Sequence, residues 1–192
     1  MGKNVLRVAV VVAVLLYAGN KLYADGHKPE GNGLASDSQS HKYIGANKCK
    51  MCHASESKGN QYKVWSESKH AKAYQDLATD DAKKAAEKAG LKTDAQKSAE
   101  CLKCHVTAYS EKEDLKGEIL VTDGIQCESC HGAGGDYKSL SVMKDKQQAI
   151  AAGLVIPDKE MCIKCHNSES PYFKGFDFDS FYKKIAHPRP KA

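Results

Sequence analysis

All eight cysteines of this 192-residue chain fall into four copies of one short motif, Cys-x-x-Cys-His. The two thiols of such a pair can add to the two vinyl groups of one haem, and the following histidine then binds the iron. Zinc ligation or disulfide bonding would explain the cysteine pairs but not a histidine after each of them. The sequence therefore predicts four covalently bound haem c groups. Their attachment residues and proximal ligands are Cys49, Cys52 and His53; Cys101, Cys104 and His105; Cys127, Cys130 and His131; and Cys162, Cys165 and His166.

The N-terminus resembles a secretory signal. Lys3 and Arg7 precede an apolar run over residues 8–18, and Ala24 offers a small residue for cleavage. The run is too short to cross a bilayer comfortably, so a cleaved signal peptide over residues 1–24 is favoured over an uncleaved anchor. The mature chain is expected in the periplasm, with an extracellular location as the alternative. Membrane association is expected only if the signal is retained.

The charge balance excludes nucleic acid as a predicted partner. The formal net charge is +5, and removal of residues 1–24 leaves 26 basic against 24 acidic residues. The propionates of four haems would move this balance further towards the acidic side. No basic excess then remains to bind a phosphate backbone.

The predicted domain organisation has three parts. After the signal, residues 25–42 are rich in Gly, Ser, Asn and Asp and predict a flexible tether. Residues 43–192 form the predicted tetrahaem domain, with an exposed helix over residues 80–91 ended near Gly90. Glycines after the third motif, at positions 132, 134 and 135, predict a tight turn close to a haem. The motif spacings are unequal, so no regular structural repeat is expected.

Four residues outside the motifs are candidates for the second axial position of the irons. His70 lies in a segment over residues 65–73 that looks helical, and His187 follows an apolar helical face at residues 178–185. Met143 stands on a segment with helical spacing, where a methionine also commonly fills gaps in a core. His41 lies near the start of the domain. His27 lies in the tether beside the expected cleavage site and is not expected to be a ligand.

Three blocks give the chain a resemblance to the tetrahaem cytochrome c-554 family over about residues 43–187. They are Tyr43-Ile44-Gly45, the segment from Trp65 to Ala73 with its His-Ala-x-Ala core, and Cys127-Glu128-Ser129-Cys130-His131-Gly132. The C-terminal aromatic helix before His187 also corresponds. The resemblance implies a mainly α multihaem cytochrome c fold, with short helices and long loops wrapped around four closely packed haems.

The same resemblance implies roles for the axial ligands. His70 would be the distal ligand of the third haem and His187 that of the fourth, whereas the second haem, on His105, would lack a strong sixth ligand. In the family a histidine shortly after the third motif serves the first haem, but this chain has Ser141 there. Met143 is then the first choice for that haem and His41 the second.

These observations predict an electron carrier rather than an enzyme. Its expected partners are redox proteins, either quinol-oxidising or other cytochrome-type donors and acceptors, and its oligomeric state is left open. One alternative is that an open haem on His105 binds or reduces nitric oxide, nitrite or hydroxylamine, although no dedicated general acid is evident. A second alternative is a subunit of an extracellular filament, with His41 or His27 ligating a neighbour's haem.

Overall fold

The computed structural model describes residues 41–189. The predicted signal peptide, His27 and nearly all of the predicted tether lie outside the described residues. The last two tether residues contact the domain: Gly135 N donates to Lys42 O at 2.9 Å, and His41 pairs with Asp136. Within the described range, no helix has both the length and the apolar character needed to cross a membrane.

All regular secondary structure in residues 41–189 is helical, which confirms the predicted mainly α fold. The α-helices are short: α1 (Ala46–His53), α2 (Gln61–Ser66), α3 (Ala73–Asp76), α4 (Asp80–Lys88), α5 (Ala99–His105), α6 (Glu113–Lys116), α7 (Cys127–His131), α8 (Leu140–Met143), α9 (Lys146–Ala151), α10 (Lys159–Ile163) and α11 (Phe178–Ile185). Three 3₁₀ turns, Glu56–Lys58, Ala95–Lys97 and Val121–Asp123, lie between them. Long loops join these elements.

The Cys-x-x-Cys-His motifs form the ends of helices. Helices α1, α5 and α7 each finish at a motif histidine, and α10 contains the first cysteine of the fourth motif. Residues three apart on a helix share a face, so both thiols of a pair can reach one side of the same ring. Local helical geometry therefore explains why the two cysteines of each motif are three residues apart.

Two helices that the sequence predicts are present. Thr79 caps α4 by accepting from Ala82 N at 3.2 Å, and the helix ends at Lys88, ahead of Gly90 with φ +71°. Asp177 caps α11 by accepting from Ser180 N at 3.0 Å. The segment around Met143 is divided instead, because the Asp145 carboxylate caps a new helix, α9.

The prediction of a helix around His70 is wrong. His70 lies in a run of turns between α2 and α3. Its carbonyl accepts from Ile125 N at 2.9 Å, and Trp65 Nε1 donates to Ile125 O at 2.8 Å. These two long-range bonds attach the turn to Ile125, two residues before the third motif. The His70 carbonyl is thereby used outside any helix, and the turn replaces the expected regular structure.

The described residues bury little apolar surface. One cluster of buried hydrophobic residues is present, and its members are Leu77, Ala86, Ala95, Leu102 and Val106. The four largest fully buried side chains are polar: Gln126, Glu128, Thr107 and Ser98. Small domains with so little apolar burial usually depend on covalent or cofactor-derived stabilisation.

We therefore expect the haem-free chain to be largely unfolded. The reason is that the apolar cluster is too small to offset the loss of chain entropy. Circular dichroism of a variant with all eight cysteines changed to serine should show low helicity and no cooperative thermal transition. The holoprotein serves as the control. A cooperative transition in the haem-free variant would contradict the expectation.

Candidate haem-binding sites

Three of the four motif histidines have their Nδ1 atom held by an oxygen acceptor. His53 Nδ1 lies 3.2 Å from Gln61 Oε1, His105 Nδ1 lies 2.7 Å from Ala73 O, and His131 Nδ1 lies 3.1 Å from Val155 O. Carbonyl and amide oxygens only accept, so each bond requires a proton on Nδ1. Nε2 then carries the free lone pair, which is the arrangement that orients a histidine towards a metal.

Gln61 is oriented by its surroundings. This buried side chain is 6% exposed, and its Nε2 donates to Lys58 O at 2.6 Å and to Pro188 O at 2.8 Å. Both acceptors are carbonyls, which leaves Oε1 to face His53. One amide therefore connects the first motif histidine to the chain beside His187.

The fourth motif histidine is held by aromatic packing. The His166 ring stacks on Phe176 with ring centroids 4.9 Å apart and planes inclined by 17°, and Phe181 contacts it edge-on at 5.7 Å. Burial lowers the pKa of His166, and it also lowers the pKa of His131 and His70. All three are thus favoured in the neutral form that binds a metal.

Two motif histidines each face a histidine from elsewhere in the chain. The ring centroids of His70 and His166 are 6.0 Å apart, and those of His131 and His187 are 5.8 Å apart. An imidazole nitrogen ligates a metal at about 2.0–2.1 Å, so two imidazoles on opposite sides of one metal have centroids about 6 Å apart. Both separations fit an iron held between two histidines.

The pairing differs from the one that the family resemblance implied. His70 was expected opposite the third motif and His187 opposite the fourth. The structure places His70 against His166 of the fourth motif and His187 against His131 of the third. The turn that carries His70 is fixed to Ile125, and Pro188 is fixed to Gln61, so long-range contacts decide the exchange.

The motifs neighbour one another in an order different from their order in the sequence. None of the eight cysteines forms a disulfide, but Cys49 lies close to Cys127 and Cys104 lies close to Cys165. Cys162 lies near enough to Cys130 to raise its pKa, an effect second to burial. The contacts thus run from the first motif to the third, then to the fourth and the second.

Buried polar side chains of the third motif hold the first motif in place. The Glu128 carboxylate is 2% exposed and accepts from Ile44 N at 2.9 Å, Gly45 N at 2.8 Å and Gly134 N at 2.7 Å. Gln126 Oε1 accepts from Ala46 N at 2.7 Å. The first backbone donors of α1 are therefore capped from α7 and its approach, since Gly45 has no side chain to cap them.

The remaining candidates for axial ligands differ in their surroundings. Met143 is half-buried at the end of α8. His41 Nδ1 lies 2.5 Å from Asp136 Oδ2, and its ring packs on Gly153. In the described part of the chain, no other imidazole ring lies as close to His53 or His105 as the rings do in these two pairs.

The residues present fit haem c better than zinc. The free Nε2 atoms, the helical cysteine pairs and the two histidine pairs suit four separate rings. Between residues 41 and 189, no group of three or more His, Cys, Asp or Glu side chains is arranged to hold a metal ion. The sequence did not reveal the roles of Gln61 and Glu128. The position of Glu128 inside a motif was the only local indication of its role.

Comparison with known proteins agrees with this chemistry. Residues 48–132, which include the first three motifs, match the family described as cytochrome c554 and c-prime. Cytochrome c-554 of Nitrosomonas europaea is 29% identical over 162 residues, covering 76% of this chain and 65% of that protein. These matches support the cytochrome c-554 family. The similarity supports a c-type cytochrome with covalently bound haem c.

The other comparisons add little. The chain spans 65% of the length of its Nitrosomonas relative, so the relative's whole activity is not transferred to it. An 84-residue segment is 32% identical to DnaJ protein homolog XDJ1 of Saccharomyces cerevisiae, covering 44% of this chain and 16% of that protein. So small a share of XDJ1 carries no functional argument. No solved structure matches the chain significantly.

Proposed function

We propose that this cytochrome relays electrons in the periplasm through four haems, one on each Cys-x-x-Cys-His motif. Bound haem c supplies an iron that cycles between ferric and ferrous states by one electron. The observation that carries the proposal is the pair of opposed histidine couples, His70 with His166 and His131 with His187. Two histidines on one iron give the low-potential centre of a relay and leave no coordination position for a substrate.

The contacts between cysteines support a route for the electrons. Thiols of the first motif lie close to those of the third, thiols of the third lie close to those of the fourth, and thiols of the fourth lie close to those of the second. Because the cysteines attach the edges of the rings, this order brings each ring close to the next. The first and second motifs would then be the two ends at which redox partners bind.

The partners are proposed to be redox proteins that donate and accept single electrons. The predicted signal over residues 1–24 supports an exported location.

A second candidate function concerns the haem proposed on His105. Ala73 O orients His105 from behind at 2.7 Å, and no other imidazole faces it in residues 41–189. An iron with an open position could bind nitric oxide, nitrite or hydroxylamine. The apolar cluster that includes Leu102 of α5 lies beside this motif and would limit access of water.

One set of measurements separates the two functions. The mass of the mature protein should equal the chain from residue 25 plus four haems, and electron paramagnetic resonance of the oxidised protein should count at least two low-spin irons. A high-spin iron and binding of carbon monoxide by the reduced protein would support an open haem; turnover of the nitrogen compounds would support the second function. Fewer than four haems, or four high-spin irons, would contradict the relay.

A further inference from the structure

His41 has the contacts of an oriented metal ligand. Its side chain is 23% exposed, and Nδ1 lies 2.5 Å from the carboxylate of Asp136. A carboxylate bonded to Nδ1 fixes the proton there and leaves the lone pair on Nε2. A histidine that ligates a metal characteristically donates its other N–H to such a carboxylate.

Gly153 packs over the face of the His41 ring and leaves the Nε2 lone pair free. A Cβ added to Gly153 would lie 2.9, 3.0 and 3.2 Å from Nε2, Cδ2 and Cε1 of His41. A point in the ring plane beyond Nε2 would be much farther from both carbons than from the nitrogen. The three similar distances therefore place Gly153 above the ring. The lone pair of Nε2 lies in the ring plane and does not point at Gly153.

The neighbours of His41 place it on the same side as His131. Val155 O holds His131, and Gly153, two residues earlier, packs on His41. On the other side, the Gln61 amide joins His53 to Pro188, next to His187. His41 and His131 thus form one group that shares the segment around Val155, and His187 and His53 form a second group that shares the Gln61 amide.

These two groups belong to motifs that lie side by side, because Glu128 of the third motif accepts from Ile44 N and Gly45 N just ahead of the first motif. One member of each group, His131 and His187, already forms an opposed pair with centroids 5.8 Å apart. The two remaining members are His41 and His53. A second opposed pair beside the first would use both.

We propose that His41 is the sixth ligand of the haem on the first motif, oriented by Asp136 and by the close approach of Gly153. It would take the place of the histidine that this chain lacks at Ser141. The inference rests on the proposed four-haem function. Hydrogen bonding to Asp136 makes the imidazole more basic and stabilises ferric iron, so this haem belongs to the low-potential centres and not to the methionine-ligated class.

The test compares variants of the mature holoprotein. In His41→Ala, electron paramagnetic resonance should count one more high-spin iron per protein than in the wild type, whereas Met143→Leu should leave the count unchanged. Asp136→Asn should keep the count but raise the potential of one haem in a redox titration. Asp114→Asn, which removes another exposed carboxylate, is the matched control and should shift no potential.

Each other outcome has a defined meaning. Unchanged spectra and potentials in His41→Ala would overturn the proposal, and a new high-spin iron in Met143→Leu would assign the ligand to Met143. If His41→Ala yields no holoprotein, His41→Met decides: it should stay low-spin with one raised potential, and unchanged potentials overturn the proposal. A change of native mass in His41→Ala would place His41 on a neighbour's haem and also overturn it. A wild-type protein lacking haem on Cys49 and Cys52 would refute the proposed function instead.

Discussion

Glu128→Ala should lower the free energy of unfolding of the holoprotein by at least about 3 kcal/mol. The carboxylate accepts three backbone N–H groups, from Ile44, Gly45 and Gly134, in a buried setting. Hydrogen bonds to a charged group contribute about 1.5–3 kcal/mol each, and a buried donor left without an acceptor carries its full desolvation cost. Alanine removes all three acceptor contacts at once.

The measurement is denaturant unfolding of the holoprotein, followed by circular dichroism. Glu87→Ala changes an exposed glutamate on α4 and is the matched control, with an expected change within about 0.5 kcal/mol. Glu128→Gln should fall between the two variants, because its amide keeps one acceptor oxygen but turns donors towards backbone N–H groups. Wild-type stability of Glu128→Ala would show that the contacts of Glu128 do not hold the first and third motifs together.

Removal of either opposed histidine should convert one low-spin haem to high spin, and the two variants should affect different motifs. His70→Ala is expected to change the haem on the fourth motif, because His70 faces His166. His187→Ala is expected to change the haem on the third motif, because His187 faces His131. The reason is that alanine offers no ligand for iron, so the affected centre becomes five-coordinate or takes up a weak ligand.

Electron paramagnetic resonance counts the converted irons, and NMR of the reduced protein with bound carbon monoxide assigns them. The new carbon monoxide-bound haem should show contacts with Phe176 in His70→Ala, since Phe176 stacks on His166. In His187→Ala the contacts should be with Val155, which holds His131. His27→Ala is the control variant. Contacts exchanged between the two variants would restore the pairing implied by the family resemblance.

Features that depend on neighbouring residues were predictable from the sequence. The attachment cysteines and their histidines follow from a five-residue pattern, and α4 and α11 follow from caps and apolar spacing. The helix around His70 was predicted wrongly because the His70 carbonyl accepts a long-range bond from Ile125 N together with a turn bond from Ala73 N. A propensity rule has no access to a partner 55 residues away.

The sequence by itself determined where haem is attached and that the chain is mainly α, because both depend on groups within one or two helical turns of each other. Only the tertiary structure decided that His70 faces His166, that His187 faces His131 and that the first motif lies against the third. These pairings join residues far apart in the chain. Contacts such as those of Glu128, Gln61 and Ile125 determine them, and nothing in the local spacing of a motif specifies which distant histidine will face it.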